Sequence, residues 1–346
     1  MSSDRTTCAD ASAAMMRIMA GGWVAHIVHT AAEIGLADHF DQDAKDPASL
    51  ANATATHPPS LARFLRALAA IGLVDETDDR RYTLTPLGAT LRTAQPGSMR
   101  AWARVILREE TERPWQALTH AIRTGDNAFQ HVFGTDPWTY RSMHSDFSTL
   151  FNDSQQSVTQ GVNATISTHY PFGNFGRIVD VGGGNGALLI SILQQHLHMR
   201  GTVFELSHVA VQARERIAAA GLADRCDAVD GNAFGDIPSG ADAYVMKSVL
   251  HGKTDEQAVA ILINCRAALA AHARLLIIER LLPERVDPDD MVARGSFLMD
   301  VSMMLTAGGR ERSEAEYQHL LAEAGLCLVR VVPTLGTSAI IEAERA

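Results

Sequence analysis

The chain has 346 residues and a formal net charge of −10, long enough to bury two sizeable cores. Its acidic balance and lack of clustered Lys or Arg exclude nucleic acid as the expected main partner, because phosphate contacts need grouped cations. The first twenty residues lack the basic-then-apolar pattern of a signal peptide, and no apolar run is read as reaching the roughly 18 residues that span a bilayer, so a cytoplasmic protein with no membrane partner is expected. Cys8, Cys226, Cys265 and Cys327 show no CxxC spacing, and HExxH and calcium-loop motifs are absent. The expectation is reduced thiols and no metal.

The first hundred residues read as short helices. Apolar residues at helical spacing predict a helix over Trp23–Ala37. Asp46-Pro47 opens another with proline in its first turn. Pro58-Pro59-Ser60 caps a third over Leu61–Ile71, ended by Gly72. Leu73–Asp75 and Tyr82–Thr85 then read as two short strands about a polar turn. Three helices and a hairpin outline a winged helix. The presumed recognition helix offers only Arg63 and Arg66 as cations, so packing or dimerisation is favoured over DNA binding. The section Ser98–Tyr170 is helical and aromatic-rich; most of its rings pack a core and a few line a pocket for a flat ligand.

From Gly176 the pattern changes to alternating strand and helix, the pattern of a doubly wound α/β sheet. Strands are expected at Ile178–Val181, Thr202–Leu206, Cys226–Asp230, Ala243–Met246 and Leu275–Glu279, with helices at Ala187–His196, Val209–Ala220 and Asp255–Ala271. Cys327–Val332, a turn at Pro333–Thr337, and Ser338–Ala343 should add an antiparallel edge. The expected divisions are a winged-helix-like domain over 1–105 and a ligand-binding α/β domain over 106–346, with 106–170 as a helical pocket segment.

The first of these strands runs into Asp180-Val181-Gly182-Gly183-Gly184-Asn185-Gly186. Glycines allow positive φ and close backbone approach, and the turn lies at the strand's carboxyl end, where open α/β sheets bind ligands. Glu205, ending the next strand, suits a ribose diol. Gly182, Gly184 and Ala187 also meet the looser GxGxxA dinucleotide pattern. The GxGxG spacing of Gly182, Gly184 and Gly186 favours S-adenosylmethionine. So does Asp180, which suits a cationic headgroup or sulfonium and would repel a pyrophosphate. His251 follows the fourth strand on the same edge, and a histidine's pKa near neutrality fits a general base.

These motifs, taken in order, resemble the caffeic acid-type O-methyltransferase family of plants. The resemblance is closer to the family's bacterial members, which methylate phenols of antibiotics and pigments such as anthracyclines, mitomycins and phenazines. It covers Glu33 to Leu91, Trp115–Phe129 with Arg123-Thr124-Gly125, and Asp180–Gly186. It continues through Val249-Leu250-His251, Ile277-Ile278-Glu279 with Pro283, and Gly308-Gly309-Arg310-Glu311-Arg312.

The resemblance implies a helical winged-helix dimerisation domain, a homodimer, and a Rossmann-like class I methyltransferase domain with an antiparallel last strand. It places Glu279 and Glu311 on the two sides of the base His251. It puts Asp180, Gly182, Gly184, Gly186, Glu205, Asn232, Ala233, Phe234 and Lys247 at the cofactor, and Trp115, Phe151, Gln155, Asp300 and Met303 at a small aromatic acceptor. Three positions depart from the family: Asn232 in Gly231-Asn232-Ala233-Phe234 where an aspartate is usual, Gly252-Lys253 after His251 where Asp-Trp is frequent, and Gln155 where methionine is common.

The implied activity is methyl transfer to a phenolic hydroxyl of a secondary metabolite. The alternatives are a related cofactor-dependent decarboxylase or hydroxylase, a winged-helix DNA-binding regulator, and a nicotinamide oxidoreductase.

Overall fold

The computed structural model describes residues 8–334 and 338–346. The chain forms two compact units. One holds the chain up to Arg113 together with Arg141–Val158, and the other Pro114–Tyr140 with Thr159–Ala346.

The first unit begins with α1 (Cys8–Glu33). This helix starts well before the Trp23 expected from the apolar spacing. Gly21 and Gly22 each cost it roughly 1 kcal/mol relative to alanine, but the i→i−4 ladder runs through them, and Gly35 at φ 64° marks its end. Met15, Met16, Ile18, Met19 and Trp23 are all more than half exposed, so one side of α1 is apolar and uncovered in the single chain. Here an expectation is corrected: Asp10–Glu33 is long and apolar enough, by length and composition, to cross a membrane. Arg17, His26, His29 and Thr30 interrupt that stretch, so it is not one unbroken apolar run.

Helix α2 (Pro47–Ala53) opens as expected, with the Asp46 carboxylate accepting the N–H groups of Ala48 and Ser49. In α3 (Pro58–Ala70), Leu61, Leu65 and Leu68 lie on one buried face. They pack with Ala32, Leu36, Leu50, Val74 and Tyr82. β1 (Val74–Glu76) and β2 (Tyr82–Leu84) pair antiparallel, Val74 opposite Leu84. Thr85 caps α4 (Pro86–Ala89) and also donates its hydroxyl to the Gly72 carbonyl at 2.8 Å, tying the hairpin to the end of α3. α5 (Arg100–Val105) contributes buried Ala103 to this core.

Short helices follow: α6 (Glu109–Gln116), α7 (Leu118–Thr124), α8 (Ala128–Phe133), α9 (Pro137–Met143) and the long α10 (Ser145–His169). Within the second unit, α7, α8 and the later α14 (Met291–Thr306) close on Ala121, Ala128 and Leu305, with Trp115 against them.

The second unit is built on one sheet. Its strands are β3 (Arg177–Val181), β4 (Arg200–Glu205), β5 (Cys226–Asp230), β6 (Ala243–Lys247), β7 (Arg274–Leu282), β9 (Leu326–Pro333) and β10 (Ser338–Arg345), in the spatial order β5-β4-β3-β6-β7-β10-β9. The short β8 (Arg312–Ser313) pairs with the end of β7. β3 through β7 are parallel, whereas β10 runs antiparallel to both β7 and β9. The last strand therefore lies inside the sheet and β9 forms the edge. The turn expected at Pro333–Thr337 falls partly outside the described residues.

Period-two alternation builds both faces. Val179, Tyr244, Met246, Leu275 and Ile277 pack beneath α13 (Asp255–Ala268) and α15 (Glu314–Glu323). Ile178, Val245, Leu276 and Ile278 pack beneath α11 (Ala187–Gln195) and α12 (Ser207–Ala219). Strands buried on both faces read as continuous apolar runs, which is why β6 and β7 were legible, whereas β5 at the edge shows alternation instead. The parallel order brings the carboxyl ends of β3 to β7 to one edge, the only place where their terminal acids and the histidine can meet.

Gly88 in α4 gives this architecture a test. A Cβ there would stand 2.0 Å from the Leu73 carbonyl oxygen and 2.8 Å from Leu84 Cδ1. Gly88→Ala should destabilise the first unit by about 1–3 kcal/mol, seen as a lowered calorimetric midpoint. An unchanged midpoint would show that the hairpin does not pack as described.

Candidate active site

The glycine turn after β3 carries positive φ at Gly182, Gly184 and Gly186: 70°, 57° and 76°. Gly182 also faces Val249, whose Cγ2 would lie 2.8 Å from an added Cβ. The turn after β3 and the turn after β6 thus touch, and only glycine lets them.

Asp180 is 2 % exposed, and neither carboxylate oxygen has a hydrogen-bond partner. Burial pushes its pKa up to about 7, with Lys247 pulling down and Glu205 pushing up. Glu205 ends β4; its Oε2 accepts the Gly184 N–H at 3.0 Å and its Oε1 the Leu206 N–H at 2.8 Å. This acid therefore braces the glycine turn. Past β5, Asn232 Oδ1 accepts the Phe234 N–H at 3.0 Å, and Asn264 holds the Ala233 carbonyl at 3.0 Å. Lys247 ends β6, its ammonium pKa lowered by burial and supported by Asp180 and Glu279.

A buried carboxylate without a partner, beneath a glycine turn braced by a second acid, calls for a ligand carrying positive charge. The donor set fits a cationic amino-acid head linked to a nucleoside.

The two departures beside this cradle are joined. Lys253 Nζ lies 4.9 Å from the centroid of Trp138 and 5.7 Å from that of Phe234. The same indole packs beside Gly252, where an added Cβ would lie 3.6 Å from its Cζ2, an ordinary van der Waals contact. An aromatic face is therefore present next to position 253, supplied by α9. Trp138 appeared in the sequence only as one of many aromatics.

His251 sits in a 3₁₀ turn, Leu250–Gly252, that follows Ser248, a non-glycine residue at φ 56°. Glu279 Oε1 accepts the N–H groups of Val249 and Leu250, both at 2.9 Å, and that of His251 at 3.4 Å. The acid thus caps the turn that carries the histidine. Its other oxygen lies 3.7 Å from His251 Nδ1, and Glu311 Oε1 lies 3.3 Å from the same nitrogen. Glu279 and Glu311 were expected on two sides of the ring; both face Nδ1, and both are 1 % exposed or less.

Burial lowers the pKa of His251, but Glu279 and Glu311 outweigh it and the net shift is upward. Burial raises that of Glu279, against the pull of His251.

Two further residues fix this arrangement. Arg312, fully buried, donates to the carbonyls of Leu250 and Lys253 at 2.9 and 2.8 Å and pairs with Asp255 at 2.7 Å, so it grips the His251 turn from both ends. Gly309 lies so close beneath that a Cβ would stand 2.1 Å from the His251 carbonyl oxygen. Both fall in the Gly308–Arg312 motif, but spacing alone could not show what they hold.

The residues expected at the acceptor are distributed. Asp300 Oδ1 accepts the Glu311 N–H at 2.8 Å, which places it directly behind the acid pair. Met303 is half-buried on α14, and Trp115 packs against the small core that Ala121, Ala128 and Leu305 form. Phe151 and Gln155 lie in the first unit, where the Arg141 guanidinium covers the Phe151 ring at 4.3 Å.

An O-methyltransferase domain model matches residues 115–327, and an O-methyltransferase dimerisation domain model matches residues 16–94. The phenazine O-methyltransferase of Lysobacter antibioticus is 37% identical over 96% of this chain and 96% of its own. The solved structure of mitomycin 7-O-methyltransferase superposes with a TM-score of 0.89, at 34% identity, over 98% of both chains. That of an O-methyltransferase from neocarzinostatin biosynthesis, in complex with S-adenosylmethionine and 2-hydroxy-5-methyl naphthoic acid, gives a TM-score of 0.78 at 32% identity, over 93% of this chain and 96% of that one. The chain belongs to the O-methyltransferase family, enzymes that use S-adenosylmethionine.

Asp180 makes the cradle testable without an acceptor. Its pKa in the fold, about 7, lies above the ordinary 3.8. The folded state therefore holds the proton more tightly, and the resulting stability is fully present below the ordinary 3.8 and is lost as pH rises from there to about 7. The shift corresponds to up to about 4 kcal/mol. Asp180→Asn cannot ionise, so the fall in melting midpoint of the ligand-free protein between pH 5 and pH 8 should become shallower. Parallel pH profiles for the two proteins would count against a carboxylate stranded beneath the turn.

Proposed function

We propose that the chain transfers a methyl group from S-adenosylmethionine to a hydroxyl of a small, flat aromatic molecule, with His251 as general base. The supporting observation is the single imidazole whose Nδ1 faces two buried carboxylates beside the glycine cradle. When bound, S-adenosylmethionine supplies an electrophilic methyl on a sulfonium. Asp180 faces its cationic head, Glu205 its ribose hydroxyls, and Asn232, Ala233, Phe234 and Lys247 the remainder.

With Nδ1 turned to Glu279 and Glu311, Nε2 is the nitrogen left to take the proton of the acceptor hydroxyl. The carboxylates orient the ring and stabilise the imidazolium, the logic by which a buried acid supports a catalytic histidine. Holding acceptor and methyl in line contributes the rest of the acceleration.

Trp115, Phe151, Gln155, Asp300 and Met303 are assigned to the acceptor. The phenazine and hydroxynaphthoic acid named for the relatives support an acceptor of that class, a hydroxylated ring system of secondary metabolism. Residues 1–105 are assigned to dimerisation and 106–346 to methyl transfer, with 106–170 supplying pocket wall. The exposed apolar side of α1 lies largely within the matched dimerisation model, and a second copy of the chain, rather than a bilayer or DNA, is its proposed cover. The enzyme is proposed to act in the cytoplasm.

The base role predicts that His251→Ala lowers turnover by roughly 10²–10⁴-fold and leaves S-adenosylhomocysteine binding unchanged by calorimetry. The loss should shrink at high pH, where a phenol near its own pKa of about 10 needs no base. A suitable acceptor is first found by screening hydroxylated aromatics with labelled cofactor. Near-normal turnover at neutral pH would remove the base role.

Assembly is checked separately. Light scattering should give twice the chain mass of 37.3 kDa, and Met19→Glu with Trp23→Glu should shift the protein to monomer. A wild-type monomer at micromolar concentration would reject the dimer.

A further inference from the structure

We infer that Arg280 is a positioning residue of this site, setting the proton affinity of His251 by sharing with it one carboxylate oxygen of Glu311. Arg280 immediately follows Glu279 on β7, and its Nη1 lies 3.4 Å from Glu311 Oε1. The same oxygen lies 3.3 Å from His251 Nδ1. One buried carboxylate oxygen therefore serves two cations, or one cation and a neutral ring, and the guanidinium is charged at every working pH.

The charges around the imidazole give this contact its effect. Glu279 and Glu311 face Nδ1 from β7 and from the segment before β8. Arg312, from β8, is matched by Asp255 at 2.7 Å. Asp300, on α14, is turned to the Glu311 N–H. Lys247, at the end of β6, is shared between Asp180 and Glu279. Tyr317, on α15, is kept neutral because burial pushes its hydroxyl pKa far up.

Arg280 is thus the cation in direct contact with the acid pair. With a neutral imidazole, Glu279, Glu311 and Arg280 together carry one net negative charge; with an imidazolium they carry none. Without Arg280 the same acids would carry two negative charges beside a neutral ring. The cluster would then bind a proton more tightly, whichever of its members took it. A base that holds its proton too tightly is already occupied at neutral pH. Arg280 offsets part of the acid pair's charge beside the ring and so limits how far the pair raises the pKa of His251.

The inference rests on His251 being the base, and its test needs no acceptor. Protein labelled with ¹³Cε1-histidine and saturated with S-adenosylhomocysteine is titrated by NMR. His251 is assigned by the signal missing from His251→Ala. Arg280→Met should raise the His251 midpoint by about one pH unit, the scale of one charge at this range in a partly buried site. Arg280→Lys, which keeps the charge, should stay within a few tenths of wild type.

Calorimetric binding of S-adenosylhomocysteine confirms that each variant is folded. If Arg280→Met does not fold, Arg280→Gln carries the same expectation. An unmoved midpoint in the neutral variant overturns the inference, as does a lysine variant that shifts as far as the methionine one. Failure of the base role itself shows differently, as turnover that survives His251→Ala.

Discussion

The second unit's active edge depends on one electrostatic constraint: two carboxylates held out of water against a single imidazole nitrogen. Each buried anion needs compensation, and the surrounding chain supplies it. Glu279 Oε1 takes two close backbone N–H groups and a longer third from the turn after β6. These donors belong to the start of a helical turn, where N–H groups have no internal partners and favour an anion. Glu311 takes the guanidinium of Arg280 and is fixed through its backbone by Asp300. The same compensation dictates shape. The turn reaches Glu279 only by passing through Ser248 at positive φ, a strained geometry of the kind that collects at functional sites. The motif that brings Glu311 passes under His251 only because Gly309 has no side chain.

The cradle proposed for the cofactor is held on the opposite principle. Near His251 each acid of the pair has partners on its Oε1 and leaves a buried Oε2 without a hydrogen bond, whereas neither oxygen of Asp180 has one. An unpaired buried acid destabilises the ligand-free fold and favours any cation that reaches it, so binding and stability are coupled through that side chain. Lys247 joins the two sides, since it is influenced by both Asp180 and Glu279. Charge placed on the cradle is thereby felt, in part, by the acid pair.

Much of this was legible in the sequence because it depends on local patterns. Doubly buried strands gave unbroken apolar runs, the Asp180–Gly186 turn is contiguous, and His251 stands immediately beyond a strand end. What stayed hidden depends on contacts between distant segments. The full reach of α1 was missed because the apolar spacing was read only from Trp23 onward, although a helix tolerates Gly21 and Gly22 at modest cost. Glu279 and Glu311 were matched to the histidine, but their approach to the same nitrogen is set by how β8 pairs with the end of β7. The grip of Arg312 joins residues about sixty positions apart, and periodicity does not report such a contact. Arg280 follows Glu279 directly and alternation along a strand points it away, so its contact with Glu311, a residue from a distant segment, was not legible in the sequence.

The change at position 253 shows how a site can lose a family residue without losing the surface that residue provides. A tryptophan there would offer an aromatic face from the turn after His251. This chain carries lysine instead, and the indole of Trp138 from α9 packs beside the preceding Gly252. The lysine ammonium lies over that indole and over the Phe234 ring, an arrangement favourable by about 0.5–2 kcal/mol, more as water is excluded. The two aromatic rings and the stem of the lysine form one surface, and its charge is new to the site. The face is now carried by a helix distant in sequence, so its position depends on how α9 packs rather than on the local turn. The His251 turn is released from presenting a large side chain and is held by Glu279, Arg312 and the close approach of Gly309, the contacts that orient the imidazole.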